Sequence, residues 1–311
     1  MLSRVADSLY WMSRYFERAD HCARVLEANY NLLLNPSKPS REQRLNRIAL
    51  SLGLKPDGMT ADSETAMLQL IAQPGNRFSI ISCIKSAREN ASQVREQISS
   101  EMWERLNQLY HGITAARSSS EADGDPLRLL MWFREGAYQF YGVTDMTMSH
   151  GEGWYFIQLG KYMERACGLS VLLDAHFSSL GGADDLDWAG LLASCSAFEA
   201  YRKVYTADLT ADRVAEFLLL NPEFPYTVRY STEGMHSALN AIAEITSTRK
   251  AARIERMVGR LRSSLAYVQI EEVMDRNFHA YLQSVLEQCH ELHAAVHEIY
   301  TNYPLESAFE V

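Results

Sequence analysis

The chain has 311 residues, of which 47% are apolar and 22% are charged, and its formal net charge is −9. This composition excludes an intrinsically disordered chain, and the length allows one large domain or two with an extensive core. The acidic balance argues against nonspecific nucleic-acid binding, which needs a basic surface. No stretch is long and apolar enough to predict a membrane span.

Apolar residues recur at alternating steps of three and four, which predicts helices along the whole chain. The first runs from Leu2 to Leu33 and ends at Asn35–Pro36. Asp125–Pro126 is typical of a helix start. No alternating strand pattern is present, so the predicted fold class is all-α, a bundle of long helices. The further predicted helices are 41–54, 62–73, 77–98, 101–117, 126–148, 156–180, 187–206, 210–221, 227–246, 249–266 and 268–302.

A motif of the first helix returns later in the chain. Tyr15-x-Glu17-Arg18-Ala19 reappears as Tyr162-x-Glu164-Arg165-Ala166, at an offset of 147 residues. We therefore predict two diverged helical repeats of about 150 residues, 1–150 and 151–311, packed as one compact unit. Their surfaces differ, because the first half holds 17 basic and 17 acidic side chains and the second holds 13 and 22.

The two Glu-Arg motifs are the candidate functional site. The structural interpretation is a buried ion-pair network that sets helix register. The functional interpretation is a polar cavity in which the cations bind an anionic group and a glutamate acts as base or orienter. The candidate binding residues are Arg14, Glu17, Arg18, Lys161, Glu164 and Arg165, with Glu17 and Glu164 as candidate catalytic groups.

Three potential metal ligands share one face of the last predicted helix. Cys289, His293 and His297 are spaced at steps of four, which can place side chains on one metal ion. No fourth ligand is evident, and the zincin pattern is not met. We therefore expect partly exposed histidines, and neither a metal nor another cofactor. The five cysteines include no Cys-x-x-Cys pair, so we expect buried thiols in a cytoplasmic protein.

Four arginines form a basic stripe within the acidic half. They recur at steps of four, three and four, so one helical face carries them. A solvated face explains such a stripe, and so does a docking surface for an acidic partner. The stripe consists of Arg249, Arg253, Arg256 and Arg260.

The chain resembles the bacterial Alpha-E family, a predicted all-helical domain with a Glu-Arg motif. The opening segment from Met1 to Ala19 is very close to the start of that family. Departures lie in the second repeat, where Lys161 replaces an arginine, and Cys167, Gly168 and Val171 replace larger or more polar residues. The other matching segments are Ala87–Ala91, Met102–Asn107, Gly153–Trp154, Gly160, Glu164–Ala166 and Ala200–Arg202.

The resemblance implies partners and a pathway. Members of the family are encoded beside a circularly permuted ATP-grasp protein, and often beside a transglutaminase-like protease. The resemblance therefore implies an accessory partner of an ATP-grasp ligase in small-peptide synthesis or modification, without catalysis of its own. The alternatives are an enzyme of the same pathway that uses the Glu-Arg site on an anionic substrate, and a structural homodimer.

Overall fold

The computed structural model describes residues 1–34, 41–55, 69–71, 73, 76, 78–118, 125–178, 185–206, 208–246 and 251–301. Within these ranges helices are present and strands are not, which confirms the all-α prediction. None of the described helices combines the length and the apolar character that a membrane crossing requires.

The helices are numbered in chain order. A short 3-10 turn, Arg95–Gln97, follows the third helix, and a π turn, His297–Thr301, follows the last. The helices are α1 (Ser3–Leu34), α2 (Arg41–Ser51), α3 (Ile80–Gln93), α4 (Ser100–Ser118), α5 (Pro126–Thr147), α6 (Glu152–Phe177), α7 (Asp185–Ser194), α8 (Phe198–Tyr205), α9 (Ala211–Leu220), α10 (Val228–Thr246), α11 (Ala251–Tyr267), α12 (Ile270–Arg276) and α13 (Phe278–Val296).

The two longest helices, α1 and α6, pack against each other in the middle of the fold. They approach each other closely at Gly160, where an added Cβ would sit 2.4 Å from the carbonyl oxygen of Tyr10. Beside it, the Ser13 hydroxyl donates to the carbonyl of Ile157 at 2.7 Å. Ser13 and Gly160 are 147 residues apart, so corresponding positions of the two motifs meet at the crossing. A small residue at this point allows the two backbones to approach closely.

The other helices surround this pair in a matching way. α3, α5 and α7 pack on α1, and α10, α13 and α2 pack on α6. An offset of 147 residues relates α3 to α10, α5 to α13 and α2 to α7. Each half therefore supplies one of the helices that pack on the central helix of the other half. This arrangement is what an internal duplication would produce, and the duplication itself stays a prediction.

Local breaks divide two of the predicted helices. The single helix predicted over 187–206 was wrong, because the structure has two helices there, α7 and α8. The chain leaves the helical conformation between them, where Ser196 has a φ of 52°. The prediction over 268–302 was wrong in the same way. Asn277 separates α12 from α13, and its side chain accepts a hydrogen bond from the backbone of Ala280. Polar side chains that compete for backbone groups make such breaks.

The helix starts follow the expected capping chemistry. The Asp125 side chain accepts from the backbone N–H of Leu127, with Pro126 in the first turn, as predicted. Ser79 caps α3 in the same way, so this helix begins three residues later than the predicted start. The helix predicted over 62–73 falls mostly outside the described residues.

Candidate functional site

The two Glu-Arg motifs exchange partners across the crossing of α1 and α6. Arg165 donates from Nε and Nη2 to the two oxygens of Glu17, both at 2.8 Å. In return, Arg18 Nε donates to Glu164 Oε1 at 2.5 Å, and Arg14 Nε donates to Glu164 Oε2 at 2.8 Å. Five of the six predicted binding residues therefore belong to two reciprocal ion-pair clusters.

The Glu17 cluster is closed. The Glu17 side chain is 0% exposed, and the Tyr141 hydroxyl adds a third hydrogen bond at 2.6 Å. Arg24 lies 3.6 Å from Glu17 and pairs with Asp20 at 2.8 Å. Burial works against the charged form, but the charges of Arg165 and Arg24 outweigh it and hold the pKa of Glu17 at about 2. Glu17 is therefore ionised, and both of its oxygens are occupied.

The Glu164 cluster is open on one side. It borders a cavity of about 160 Å³ between α1 and α6. The charged residues of its wall are Arg14, Arg18 and Glu164, so the wall carries one excess positive charge. Glu17 does not line this cavity. The remaining lining residues are His21, Cys22, Ser51, Leu52, Gly53, Phe78, Cys167, Gly168, Val171 and His290.

Several polar atoms of the cavity wall have hydrogen-bonding capacity left. The two terminal nitrogens of Arg18 make no hydrogen bond to a described residue, since this side chain uses Nε for Glu164. His21 Nε2 and Ser51 Oγ are buried and have no partner among the described residues. A buried polar atom without a partner is costly in free energy, so these atoms mark a place where a ligand or a water molecule can bind.

The protonation state of His21 follows from its surroundings. Burial, and then the charge of Arg24, lower the pKa of His21 to about 4. The backbone of Ser51 is near the ring and weakly opposes this lowering. Nε2 of the neutral ring is buried and has no hydrogen-bond partner among the described residues. The cavity thus offers a guanidinium for an anion and an imidazole nitrogen that can accept a hydrogen bond from an N–H or O–H donor.

Lys161 lies outside both clusters. It corresponds to Arg14 in the first motif, but no hydrogen bond or ion pair joins it to a described residue. Its Nζ lies 4.4 Å from the centre of the Tyr162 ring. Burial, and then the nearby charge of Arg165, lower the pKa of Lys161 to about 8. The structure therefore does not bring this predicted binding residue to the cavity.

The three candidate metal ligands of the last helix do not converge. Cys289 is fully buried, His293 Nδ1 lies 2.9 Å from the Tyr10 hydroxyl, and His297 Nε2 lies 4.0 Å from Asp7 Oδ1. Across the described ranges, no group of three or more suitable side chains is arranged to hold a metal ion.

The basic stripe is exposed where the structure describes it. Arg253, Arg256 and Arg260 lie on the outer face of α11, and Arg253 pairs with Glu298 at 3.1 Å. Arg249 lies outside the described residues. The stripe is remote in sequence from the residues that line the cavity.

Sequence reasoning did not find several residues of the two clusters. Tyr141 and Tyr226 complete the closed cluster, and the Tyr226 ring lies 3.9 Å from the Arg24 guanidinium carbon and 4.2 Å from that of Arg165. His21 is not among the six predicted binding residues. The sequence feature that could have identified His21 is its position about one turn after Glu17 and Arg18, on the same side of α1.

The fold and the clusters define an all-helical domain whose central helices are tied by two Glu-Arg pairs. The family model that describes a predicted alpha-helical domain with a conserved ER motif matches residues 1–301, and the chain belongs to this family, Alpha-E.

Curated relatives are longer than this chain. The uncharacterized proteins Rv2567 of Mycobacterium tuberculosis H37Rv and Mb2597 of Mycobacterium bovis are each 23% identical over 95% of this chain and 36% of their own length. The chain thus spans about a third of the curated relatives it matches. No solved structure matches it.

Proposed function

We propose that this Alpha-E protein is a binding protein whose open cavity holds the carboxylate or phosphate of a small molecule, and that it serves an ATP-grasp ligase as an accessory partner. One observation carries the binding role. The terminal nitrogens of Arg18 and Nε2 of His21 line the cavity without a hydrogen-bond partner among the described residues.

The cavity favours a ligand that has an anionic group beside a donor. A guanidinium with two free terminal nitrogens suits a carboxylate or a phosphate oxygen pair. The acceptor at His21 suits an adjacent N–H or O–H. The C-terminal residue of a short peptide combines a carboxylate with an amide N–H, in agreement with the small-peptide system that the family resemblance implies.

The carboxylates of the motifs support binding rather than acid-base catalysis. Glu17 does not line the cavity, and both of its oxygens accept hydrogen bonds. Glu164 borders the cavity, but both of its oxygens accept from arginines. Burial opposes its ionisation, and the charges of Arg14 and Arg18 outweigh burial and lower the pKa of Glu164. A general base needs a free oxygen and a pKa nearer to neutrality. The alternative, an enzyme of the same pathway, requires one of these pairs to open.

The ligand proposal is tested with a matched pair of probes. Thermal unfolding is followed with a dipeptide that has a free C-terminal carboxylate, with its C-terminal amide, and with inorganic phosphate. We expect the acid or phosphate to raise Tm and the amide to leave it unchanged, since a ligand that binds the folded state stabilises it by mass action.

Two variants test whether the Tm shift comes from binding at Arg18. Arg18→Gln removes the guanidinium whose terminal nitrogens have no partner among the described residues, and it should abolish the Tm shift. Arg88→Gln is the control, because Arg88 is also half-buried and bonded through Nε, to Asn107 at 2.5 Å, but does not line the cavity. Equal shifts from acid and amide, or equal loss in both variants, would contradict the ligand proposal.

The accessory role rests on the family resemblance. The curated relatives have nearly two thirds of their length outside the part that matches this chain. In the cytoplasm, this chain would meet a separate ATP-grasp partner by docking. The exposed arginines of α11 are the proposed docking face, and a transglutaminase-like protease or a second copy of the chain are other candidate partners.

Co-purification tests the accessory role. The chain is co-expressed with the ATP-grasp protein encoded beside it, and the complex is followed by size-exclusion chromatography and ATP turnover. We expect a stable complex that the double change Arg256→Glu and Arg260→Glu weakens. Absence of a complex at micromolar concentration, with unchanged turnover, would overturn the accessory role and leave ligand binding to stand alone.

A further inference from the structure

A second cavity lies between α6 and α10, apart from the site of the proposed function. Its volume is about 310 Å³, near the lower end of the range of about 300–1,000 Å³ that is usual for small-molecule sites. Among the described residues, it shares no lining side chain with the cavity that the Glu164 cluster borders. Its wall includes Trp154, Tyr155, Gln158, Tyr162, Tyr230 and Glu233.

The packing of two helices forms this cavity. Trp154, Gln158 and Tyr162 follow one another at steps of four along α6, a spacing that places side chains on one helical face. That face meets α10. At Gly234 of α10, an added Cβ would lie 2.5 Å from Cδ2 and Cε2 of Tyr162, so the absence of a side chain there makes room for the tyrosine ring.

The cavity holds buried polar groups without partners. Gln158 is 7% exposed, and its side-chain amide makes no hydrogen bond to a described residue. Nε1 of Trp154 is also buried and has no hydrogen-bond partner in the part of the chain that the structure describes. Such groups are costly in free energy, and a ligand with matching donors and acceptors would satisfy them.

The aromatic side chains of the wall favour a flat ligand. The Trp154 and Tyr155 rings have their centres 5.2 Å apart with an interplanar angle of 81°, and the Tyr162 and Tyr230 rings are 6.1 Å apart at 63°. All four side chains are half-buried. Aromatic side chains gain free energy by stacking on a planar ring or by edge-to-face contact with it.

The charges around the cavity favour a neutral ligand. Glu233 is the charged residue of the described wall, and its Oε2 accepts a hydrogen bond from Arg262 Nε at 2.6 Å. Lys161 Nζ lies 4.4 Å from the centre of the Tyr162 ring. Cations therefore already engage the carboxylate and one of the rings, which disfavours a cationic ligand. No cationic side chain belongs to the described wall, which disfavours an anionic one.

We propose that this cavity binds a nucleobase, either free or as part of a nucleoside. The Gln158 amide has an acceptor oxygen beside an NH₂ donor, and the edges of nucleobases place a donor and an acceptor side by side in the same way. The indole N–H of Trp154 can donate to a further ring nitrogen or carbonyl oxygen. Stacking on aromatic side chains with hydrogen bonds to the base edge is a common way for proteins to hold an unpaired base.

Isothermal titration calorimetry of the whole chain tests the ligand class. The probes are adenosine, inosine, cytidine and uridine, the free bases adenine and uracil, and D-ribose. We expect at least one nucleoside to bind with a Kd below 1 mM and D-ribose not to bind. Comparison of that nucleoside with its free base shows whether the sugar contributes. Absence of binding by every base and nucleoside at 1 mM, or equal binding of D-ribose, would overturn the proposal.

Two variants place the binding in this cavity. Gln158→Leu removes the amide at similar volume and should weaken nucleoside binding at least ten-fold. Trp154→Phe keeps an aromatic ring but removes the N–H, and it should weaken binding by about ten-fold as well. Gln139→Leu, at an exposed position of α5, is the control and should bind like the unchanged chain. Unchanged binding in both cavity variants would overturn the proposal.

The stability of Gln158→Leu without ligand is a further readout. Replacing a buried amide that lacks a partner by an apolar side chain should raise Tm, on the order of 2 °C. A merely structural glutamine would instead lower Tm when replaced, and that result would overturn the role of its amide in binding. Bases and nucleosides carry neither a carboxylate nor a phosphate, so failure here and failure of the proposed function are separate results.

Discussion

Glu17 and Glu164 occupy corresponding positions of α1 and α6, and of the two only Glu164 is among the described residues that line the cavity between these helices. About one and two turns beyond Glu17, Asp20 and Arg24 fill the space with a buried ion pair. The corresponding positions beyond Glu164, at the offset of 147, are Cys167 and Val171, which are smaller and carry no charge. The loss of these large side chains leaves the volume that the cavity occupies.

Gly168 is a further difference between the two motifs. It corresponds to His21, and an added Cβ at Gly168 would lie 3.3 Å from Cδ2 of that histidine. The absence of a side chain on α6 therefore makes room for the imidazole of α1 at the cavity wall. One motif thus forms a fully buried ion-pair cluster at the helix crossing, and its counterpart forms a cluster that faces the cavity. The two interpretations of the motif each fit one of the clusters.

The largest expected effect compares the two glutamates directly. Glu17→Gln leaves Arg165 and Arg24 buried without their full counter-charge, so we expect a loss of about 3–5 kcal/mol in the free energy of unfolding. Glu164→Gln should cost less, because Arg18 is 21% exposed and water in the cavity can solvate it. Urea denaturation of both variants measures the difference. Equal losses in the free energy of unfolding would mean that water in the cavity does not solvate the arginines of the Glu164 cluster.

The next effect concerns the crossing that positions both clusters. Gly160→Ala would place a Cβ 2.4 Å from the carbonyl oxygen of Tyr10, which is backbone and cannot move aside cheaply. We expect a loss of about 1–3 kcal/mol from overpacking. Gly142→Ala on α5 is the control, since an added Cβ meets nothing within 4 Å there, and we expect a gain of about 0.5–1 kcal/mol. A neutral Gly160→Ala would show that α1 and α6 are further apart.

A smaller expected effect is the dependence of stability on pH, which differs between the two clusters. The pKa of His21 is about 4 in the folded chain and near 6.5 when exposed. The unfolded chain therefore binds the extra proton first, and stability falls as pH falls from about 6.5 to 4, on the order of 2–3 kcal/mol for this group. The depressed pKa of Glu17 acts in a lower window, from about 4.5 to 2.

Denaturation at several pH values separates these contributions. His21→Asn should flatten the decline between pH 6.5 and 4, whereas His111→Asn, at an exposed position of α4, should leave the slope unchanged. An unchanged slope in His21→Asn would show that this imidazole is not held neutral beside the cavity.

Much of the architecture could be predicted from the sequence, and less of the site. The seam of α1, the capping of α5 and the return of the Glu-Arg motif are local patterns, so they are readable along the chain. The exchange of partners between the motifs depends on how two helices cross, which spacing alone does not specify. Tyr141 and Tyr226 come from α5 and from the segment before α10, and no local pattern links them to Glu17. The breaks at Ser196 and Asn277 likewise follow from tertiary packing and local capping that the apolar periodicity does not register.

The smallest expected effect concerns Lys161, the residue at which the second motif departs from the first. Its counterpart Arg14 pairs with Glu164, whereas Lys161 is held near Arg165, and burial with that repulsion lowers the pKa of Lys161 to about 8. At pH 7 the ammonium is charged in both states and less stable in the folded one, so Lys161→Met should raise stability slightly. The gain should shrink between about pH 8 and 10.5, because the folded chain releases this proton before the unfolded chain does.

Lys85→Met, at an exposed position of α3, is the control and should show no such pH dependence. A loss of stability at pH 7 in Lys161→Met would instead mean that the ammonium contributes to the closed cluster, which would make the two motifs more alike than their contacts indicate.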